Sequence, residues 1–207
     1  MHRIANDAGR LDLERRLESV RQSPAEIVFV SSADTELAAL ARIWGPEFGN
    51  RLRLMNAASL QHPEAAEHYA DHVLFNARIA IFRLHGGKAY FPKLLEELLH
   101  IKSHGATVRT LVLAGTDEWD PELATYSDYA EPLARTIFDY FREGGITNYE
   151  YAAKAMGALI ENQTGPFPEV EKNPTFGWHS ASTINGQVHC SGRVWITFYR
   201  AWQQTGD

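Results

Sequence analysis

The chain has 207 residues, 44% of them hydrophobic and 22% charged, the make-up of a globular protein with one sizeable core. A net charge of −6 argues against a broad nucleic-acid surface, which needs clustered excess Lys and Arg, and no apolar run reaches the roughly 18–20 residues that cross a bilayer. The first ten residues lack the apolar core of a signal peptide, and the single cysteine, Cys190, excludes an internal disulfide framework. The expectation is a cytoplasmic protein with neither nucleic-acid nor membrane partners.

In chain order, residues 11–22 predict a short amphipathic helix with a thin apolar stripe, broken at Ser23-Pro24. Residues 27–30, Ile-Val-Phe-Val, read as a first buried strand, and Ser31, Ser32 and Asp34 offer side-chain caps for a helix over 35–44. Gly45-Pro46 and Gly49-Asn50 bound a loop before a second strand at 52–56, and a helix over 62–76 follows. The stretch 78–92 joins an Ile-rich strand to Gly86-Gly87, then Lys88, Tyr90 and Phe91, with Pro92 placed as a first helical residue. A helix over 91–103 stops at His104-Gly105. A fourth strand, 108–113, runs into Gly115, Thr116 and Asp117, and Asp120-Pro121 opens a short helical turn. Helices follow over 128–142 and from Thr147, where Glu150 three residues on matches a capping box, to Asn162. Three prolines predict an extended connector over 165–178, before a last strand at 193–199.

Strands alternating with helices call for a parallel sheet with right-handed crossovers. The expected fold is α/β, a flavodoxin-like three-layer sandwich with strand order 2-1-3-4, a candidate fifth strand at 193–199 and additional C-terminal helices. The domain reading is 1–145 for the α/β domain and 146–207 for a helix, a Pro-rich connector and a strand leading into a next domain. In this order ligands bind beyond the carboxyl ends of the first and third strands. Ser32 and Asp34 then face His85, Gly86, Gly87 and Lys88, with Thr116 and Asp117 nearby.

The Gly86-Gly87 turn is not a phosphate loop, because Phe82 and Ala89 occupy positions where that pattern needs a glycine and a hydroxyl. A solvated strand-to-helix turn and a ligand-facing loop both fit it. His68/His72 and His100/His104 each place two imidazoles on one helix face, but neither pair has the Glu or third ligand of a metal centre, so no metal site is assigned. His179, Ser180, His189 and Cys190 lie close in sequence without a pattern that pairs them as a nucleophilic centre.

Four stretches together resemble a known family. They are His2-Arg3-Ile4; the run 27–40; Arg83-Leu84-His85-Gly86-Gly87-Lys88-Ala89-Tyr90-Phe91-Pro92 with Glu96-Glu97-Leu98; and Phe198-Tyr199-Arg200-Ala201 with Gly206-Asp207. The chain resembles the N-terminal region of the cobaltochelatase large subunit of the CobN type, which is related to the magnesium-chelatase large subunit. The family usually has Leu-Gly-Gly-Arg-Gly-Tyr-Trp-Pro at the turn; this chain departs at His85, Lys88, Ala89 and Phe91. Lysine in place of arginine exchanges a bidentate fork for a point charge.

The resemblance implies a subunit of an enzyme that inserts Co²⁺ into hydrogenobyrinic acid a,c-diamide on the aerobic route to cobalamin. It implies ATP hydrolysis on AAA+-type partner subunits, no cofactor on this piece, and no activity of the piece alone. It assigns no catalytic residue here. The contacts expected for the tetrapyrrole's peripheral carboxylates are Arg83 and Lys88, with Tyr90 or Phe91 packing on the macrocycle. Two alternatives stand beside this: a non-enzymatic docking module for the ATPase partners or the remaining large-subunit domains, and a magnesium-chelatase homologue acting on protoporphyrin IX.

Overall fold

The computed structural model describes residues 13–173. The candidate fifth strand at 193–199, the cluster at His179, Ser180, His189 and Cys190, and the first and last stretches of the family resemblance lie outside the described residues. Four strands, β1 (Ile27–Ser31), β2 (Leu52–Asn56), β3 (Ile79–Leu84) and β4 (Arg109–Ala114), form one all-parallel sheet in the order β2-β1-β3-β4. This is the expected α/β topology. β1 and β3 are buried along their whole length, which is why both read as continuous apolar runs instead of alternating ones.

The crossovers place helices on both faces. Helices α2 (Pro63–His72) and α3 (Pro92–Ser103) pack against each other on one side. The other side carries α1 (Asp34–Phe48), α5 (Glu131–Glu143) and α6 (Ile146–Ile160), with the short α4 (Pro121–Ala124) following β4. Trp44 is the hub of that second layer. It is fully buried, meets Phe29, Phe48 and Phe141 with ring centroids 5.6, 5.9 and 6.1 Å away, and donates its indole N–H to the Tyr149 carbonyl at 2.8 Å. α6 therefore shares the core of the sheet domain, through Tyr149, Ala152, Met156 and Leu159.

Three local expectations are corrected. The helix predicted to stop at residue 44 continues through Gly45-Pro46 to Phe48, because Phe48 is 6% exposed and packs edge-on to Trp44; core packing outweighs the break. The capping box at Thr147 and Glu150 does not form: α6 starts one residue earlier at Ile146, behind Gly145, with no side-chain cap. Residues 128–130 are not helical, since α5 begins at Glu131.

Residues 126–128 instead protect an exposed sheet edge. The Asp128 carboxylate accepts the Thr110 amide at 2.6 Å, the Ser127 hydroxyl accepts the Val112 amide at 2.8 Å, and the Asp128 amide donates back to Thr110 at 2.9 Å. The opposite edge is covered by Gln22, which donates to the Leu54 carbonyl, while Arg53 on β2 donates to the Ser23 carbonyl. Both outer strands are thus kept from pairing with another chain.

Burial alone would raise the Asp128 carboxyl, but hydrogen bonds from Lys102 and Thr110 outweigh it and hold the group below its ordinary range. A depressed carboxyl pKa contributes stability that is present above the unfolded value and lost as pH falls through the folded one. Asp128→Asn should therefore cost about 1 kcal/mol at neutral pH. Urea unfolding of both proteins should show that gap closing as pH drops from about 6 to about 2; a gap independent of pH would contradict it.

Candidate functional site

The carboxyl ends of β1 and β3 are where this topology receives ligands, and here they are knitted together. The Ser32 amide donates to the Arg83 carbonyl at 3.1 Å, extending the β1–β3 ladder by one residue. The Ser32 hydroxyl then accepts the His85 amide at 3.2 Å. On the other side the Gly115 amide donates to Leu84 at 2.9 Å. Three backbone donors at this edge, the amides of Ser32, His85 and Gly115, are therefore used within the protein.

Two glycines seat rings at this edge. A Cβ on Gly115 would lie 2.3 Å from His85 Nδ1, so the His85 ring rests directly on that backbone. Gly86, at φ +87°, lies under the Tyr90 ring, to which a Cβ would approach within 2.6 Å. Only glycine adopts that φ without strain and leaves room for the ring. Tyr90 itself is 66% exposed, the most open of the large apolar side chains among the described residues. Gly87 also has positive φ, and a Cβ there would sit 3.4 Å from the Asp120 carboxylate, which caps α4 through the amides of Glu122 and Leu123.

The two cations expected to meet tetrapyrrole carboxylates both hold protein carboxylates. Lys88 forms an ion pair with Glu122 at 3.0 Å, and this contact raises the lysine pKa. Arg83 is 5% exposed and points into the α1/α5/α6 layer, with Nε 3.2 Å from Glu36 Oε1. Its ionic partner and the rings beside it lie within that layer. The geometry of that pair is an ion pair without a well-aligned hydrogen bond, and Arg83 Nη1 has no acceptor among the described residues. The guanidinium lies 5.8 and 5.5 Å from the ring centroids of Phe138 and Phe141. Glu36 is fixed by the Ser31 hydroxyl, which donates to Oε2 at 2.6 Å while accepting the Ala33 amide.

The remaining expected residues disperse. Asp34 is exposed and accepts from the Asn56 amide at the end of β2. Thr116 and Asp117 are exposed, and the Thr116 hydroxyl reaches only the Glu118 carbonyl. Contacts join Ser32 to His85, His85 to Gly115, and Gly86 to Tyr90, while those of Asp34 and Thr116 run to Asn56 and Glu118. Sequence reading missed Glu36, Gly115 and Glu122. A signal for Glu36 existed: a charge inside an otherwise apolar strand requires an opposite charge nearby, and Glu36 stands in the first turn after the adjacent strand.

Among the described residues no three His, Cys, Asp or Glu side chains converge as a metal centre requires. The paired histidines stack on themselves, His68 on His72 at 4.1 Å and His100 against His104 at 4.2 Å. No helix of the described residues is long and apolar enough to cross a membrane.

Breaking the buried pair on one side strands a charge. Glu36→Gln should cost about 3–5 kcal/mol, whereas Glu36→Leu combined with Arg83→Met should fall within about 1–2 kcal/mol of the native chain. Chemical denaturation of the three proteins measures this; a double variant as unstable as the single one would show that the network, not the unpaired charge, sets the cost.

No family model matches the chain. It is 30% identical to the aerobic cobaltochelatase subunit CobN of a Sinorhizobium species over its whole length, and 31% identical to CobN of Pseudomonas aeruginosa over 72% of it. It spans only 17% and 12% of those relatives' lengths. Among solved structures, the catalytic subunit of cobaltochelatase from Mycobacterium tuberculosis shares the fold, with a TM-score of 0.59 at 19% identity, over 89% of this chain and 14% of that one. The chain belongs to the CobN family of cobaltochelatase subunits, as a piece corresponding to its N-terminal region.

Proposed function

We propose that this chain is the N-terminal module of a large subunit that inserts Co²⁺ into hydrogenobyrinic acid a,c-diamide, on the aerobic route to cobalamin in the cytoplasm. Co²⁺ is the substrate, and ATP is hydrolysed on AAA+-type partner subunits. Within that complex the module docks, binding the remaining domains of the large subunit, and does not itself perform the metal insertion. Both curated relatives are named for cobalt, which favours this reading over magnesium insertion into protoporphyrin IX.

One observation carries the docking role: Arg83 and Lys88, the cations placed to receive tetrapyrrole carboxylates, are already paired with Glu36 and Glu122. An incoming carboxylate would have to displace Glu122 from Lys88, and Asp120 stands next to the same turn. Like charges at short range disfavour that exchange. Seating rings on glycine backbone, by contrast, suits a protein contact: Tyr90 offers an exposed, conformationally restrained aromatic surface of the kind that anchors interfaces.

Two measurements test this. Titrating the chain with hydrogenobyrinic acid a,c-diamide should give no saturable binding up to high micromolar ligand, while co-purification with the separately expressed remainder of the large subunit should succeed. Tyr90→Ala should weaken that association roughly tenfold without altering the fold. Tight tetrapyrrole binding, or co-purification with the ATPase subunits alone, would overturn the assignment.

A further inference from the structure

Two histidines four residues apart close α3, His100 in its last turn and His104 at its C-cap, and both are exposed. Their rings lie 4.2 Å apart, centroid to centroid, tilted by 37°. His104 Nδ1 is 2.9 Å from the His100 carbonyl, which can only accept, so Nδ1 carries a proton and donates it. The neutral ring therefore keeps its lone pair on Nε2, and nothing among the described residues bonds that atom. A ligating histidine has this arrangement: its second nitrogen donates to a backbone carbonyl, which fixes the tautomer and the ring. The Ser103 hydroxyl, 3.2 Å from the same Nδ1, donates to the same carbonyl at 2.8 Å and steadies this end of the helix.

The surroundings favour a cation. The last carbonyls of this 12-residue helix give its end a partial negative charge. Lys102, in the same turn, is held by Asp128 and Thr110, each at 2.7 Å. His100 also lines a groove of about 530 Å³ between α2 and α3 whose other charged groups are Glu67, Glu96, Glu97 and Lys93, three carboxylates to one lysine; Leu99 and Ser103 complete its wall. Facing rings cannot share an ion as they stand, because each lone pair lies in its ring plane and must point at a metal about 2.0–2.1 Å away. His100 is free to swing: it is exposed, its ring has no hydrogen bond among the described residues, and the torsion that turns an imidazole is broad. His68 and His72 repeat the carbonyl tie, His72 Nδ1 lying 2.9 Å from the His68 carbonyl, but His68 is half-buried and Arg21 sets a like charge near it.

We propose that His100 and His104 chelate one late first-row divalent cation, through His104 Nε2 and a ring nitrogen of His100, with water completing the shell. Three converging side chains make a closed, resident centre; two make an open chelate that exchanges its ion. The ligands set the class: imidazole suits Co²⁺, Ni²⁺, Cu²⁺ and Zn²⁺, whereas Mg²⁺ and Ca²⁺ take oxygen. Co²⁺, the substrate in the reading above, belongs to this class, but the site rests on the two rings and not on that reading or on the docking role.

The chain has nine histidines, so the test has to resolve them: the ring-proton shifts of each are followed as Zn²⁺ is titrated into the 207-residue chain. His100 and His104 should move along one saturating curve, at concentrations at least about tenfold below those that move the lone, exposed His85, because the second ligand adds intramolecularly. Mg²⁺ in about tenfold excess should move neither ring. His104→Ala should weaken the response of His100 about tenfold or more, and His100→Ala that of His104. Both positions are exposed, and circular dichroism checks that each variant is folded. Separate curves for the two rings, shifts no tighter than those of His85, a response to Mg²⁺, or unchanged affinity in either variant would overturn the proposal. If His104→Ala fails to fold, His104→Gln removes the same ligand, and an unchanged affinity there would count equally against it.

Discussion

A guanidinium inside a parallel sheet sets the terms for the whole upper layer of this protein. Arg83 ends the run Ile-Ala-Ile-Phe-Arg-Leu, and alternation puts it on the same face as Ile81 and Ile79. That face is covered by α1, α5 and α6, so the charge has to be met from within. Glu36 meets it from the first turn of α1, and the Ser31 hydroxyl holds Glu36 in place from the neighbouring strand. Phe138 and Phe141 border the guanidinium on α5, and Tyr149 on α6 is close enough to feel both charges, although burial dominates the rise in its own pKa. One ion pair thereby links elements of three helices and two strands near the carboxyl end of the sheet.

The consequence for function is at that edge. A doubly wound sheet owes its ligand crevice to free backbone donors where neighbouring strands part. Here Ser32 spans the gap between β1 and β3 with its amide and its hydroxyl, and Gly115 continues the pairing on the far side. The fold keeps the strand order 2-1-3-4 while part of the backbone at this edge is bonded within the protein. Rings on glycine seats, His85 and Tyr90, then present a surface instead of a pocket. The curated relatives it matches are several times this length.

Much of the fold was legible in the sequence because its signals are local and strong. Ile27-Val28-Phe29-Val30 and the Ile-rich stretch before Arg83 carry no alternation, which is the mark of strands buried on both faces, and alternation with helices then fixed a parallel order. Helix ends were less legible. Gly45-Pro46 is a sound local stop, yet Phe48 is drawn into the core beside Trp44 and pulls the helix on; such a contact has no local signature. The site was half legible. The Gly-Gly turn and Tyr90 stood out by composition, but side-chain direction did not: Arg83 and Lys88 are both basic and close in sequence, one ending a strand and one in the turn after it, and only the three-dimensional positions of Glu36 and Glu122 reveal that neither is free.

Buried against Glu36, Arg83 is expected to serve the interior of the module and not the tetrapyrrole. The most direct measurement is cobalt insertion by a complete CobN-type subunit carrying this module with Glu36→Leu and Arg83→Met together, assayed with its partner subunits. The expected result is a folded subunit whose kcat and KM for the tetrapyrrole stay within about twofold of the parent, because no substrate contact has been removed. A KM raised tenfold or more in a subunit that remains folded would contradict it and return Arg83 to the substrate.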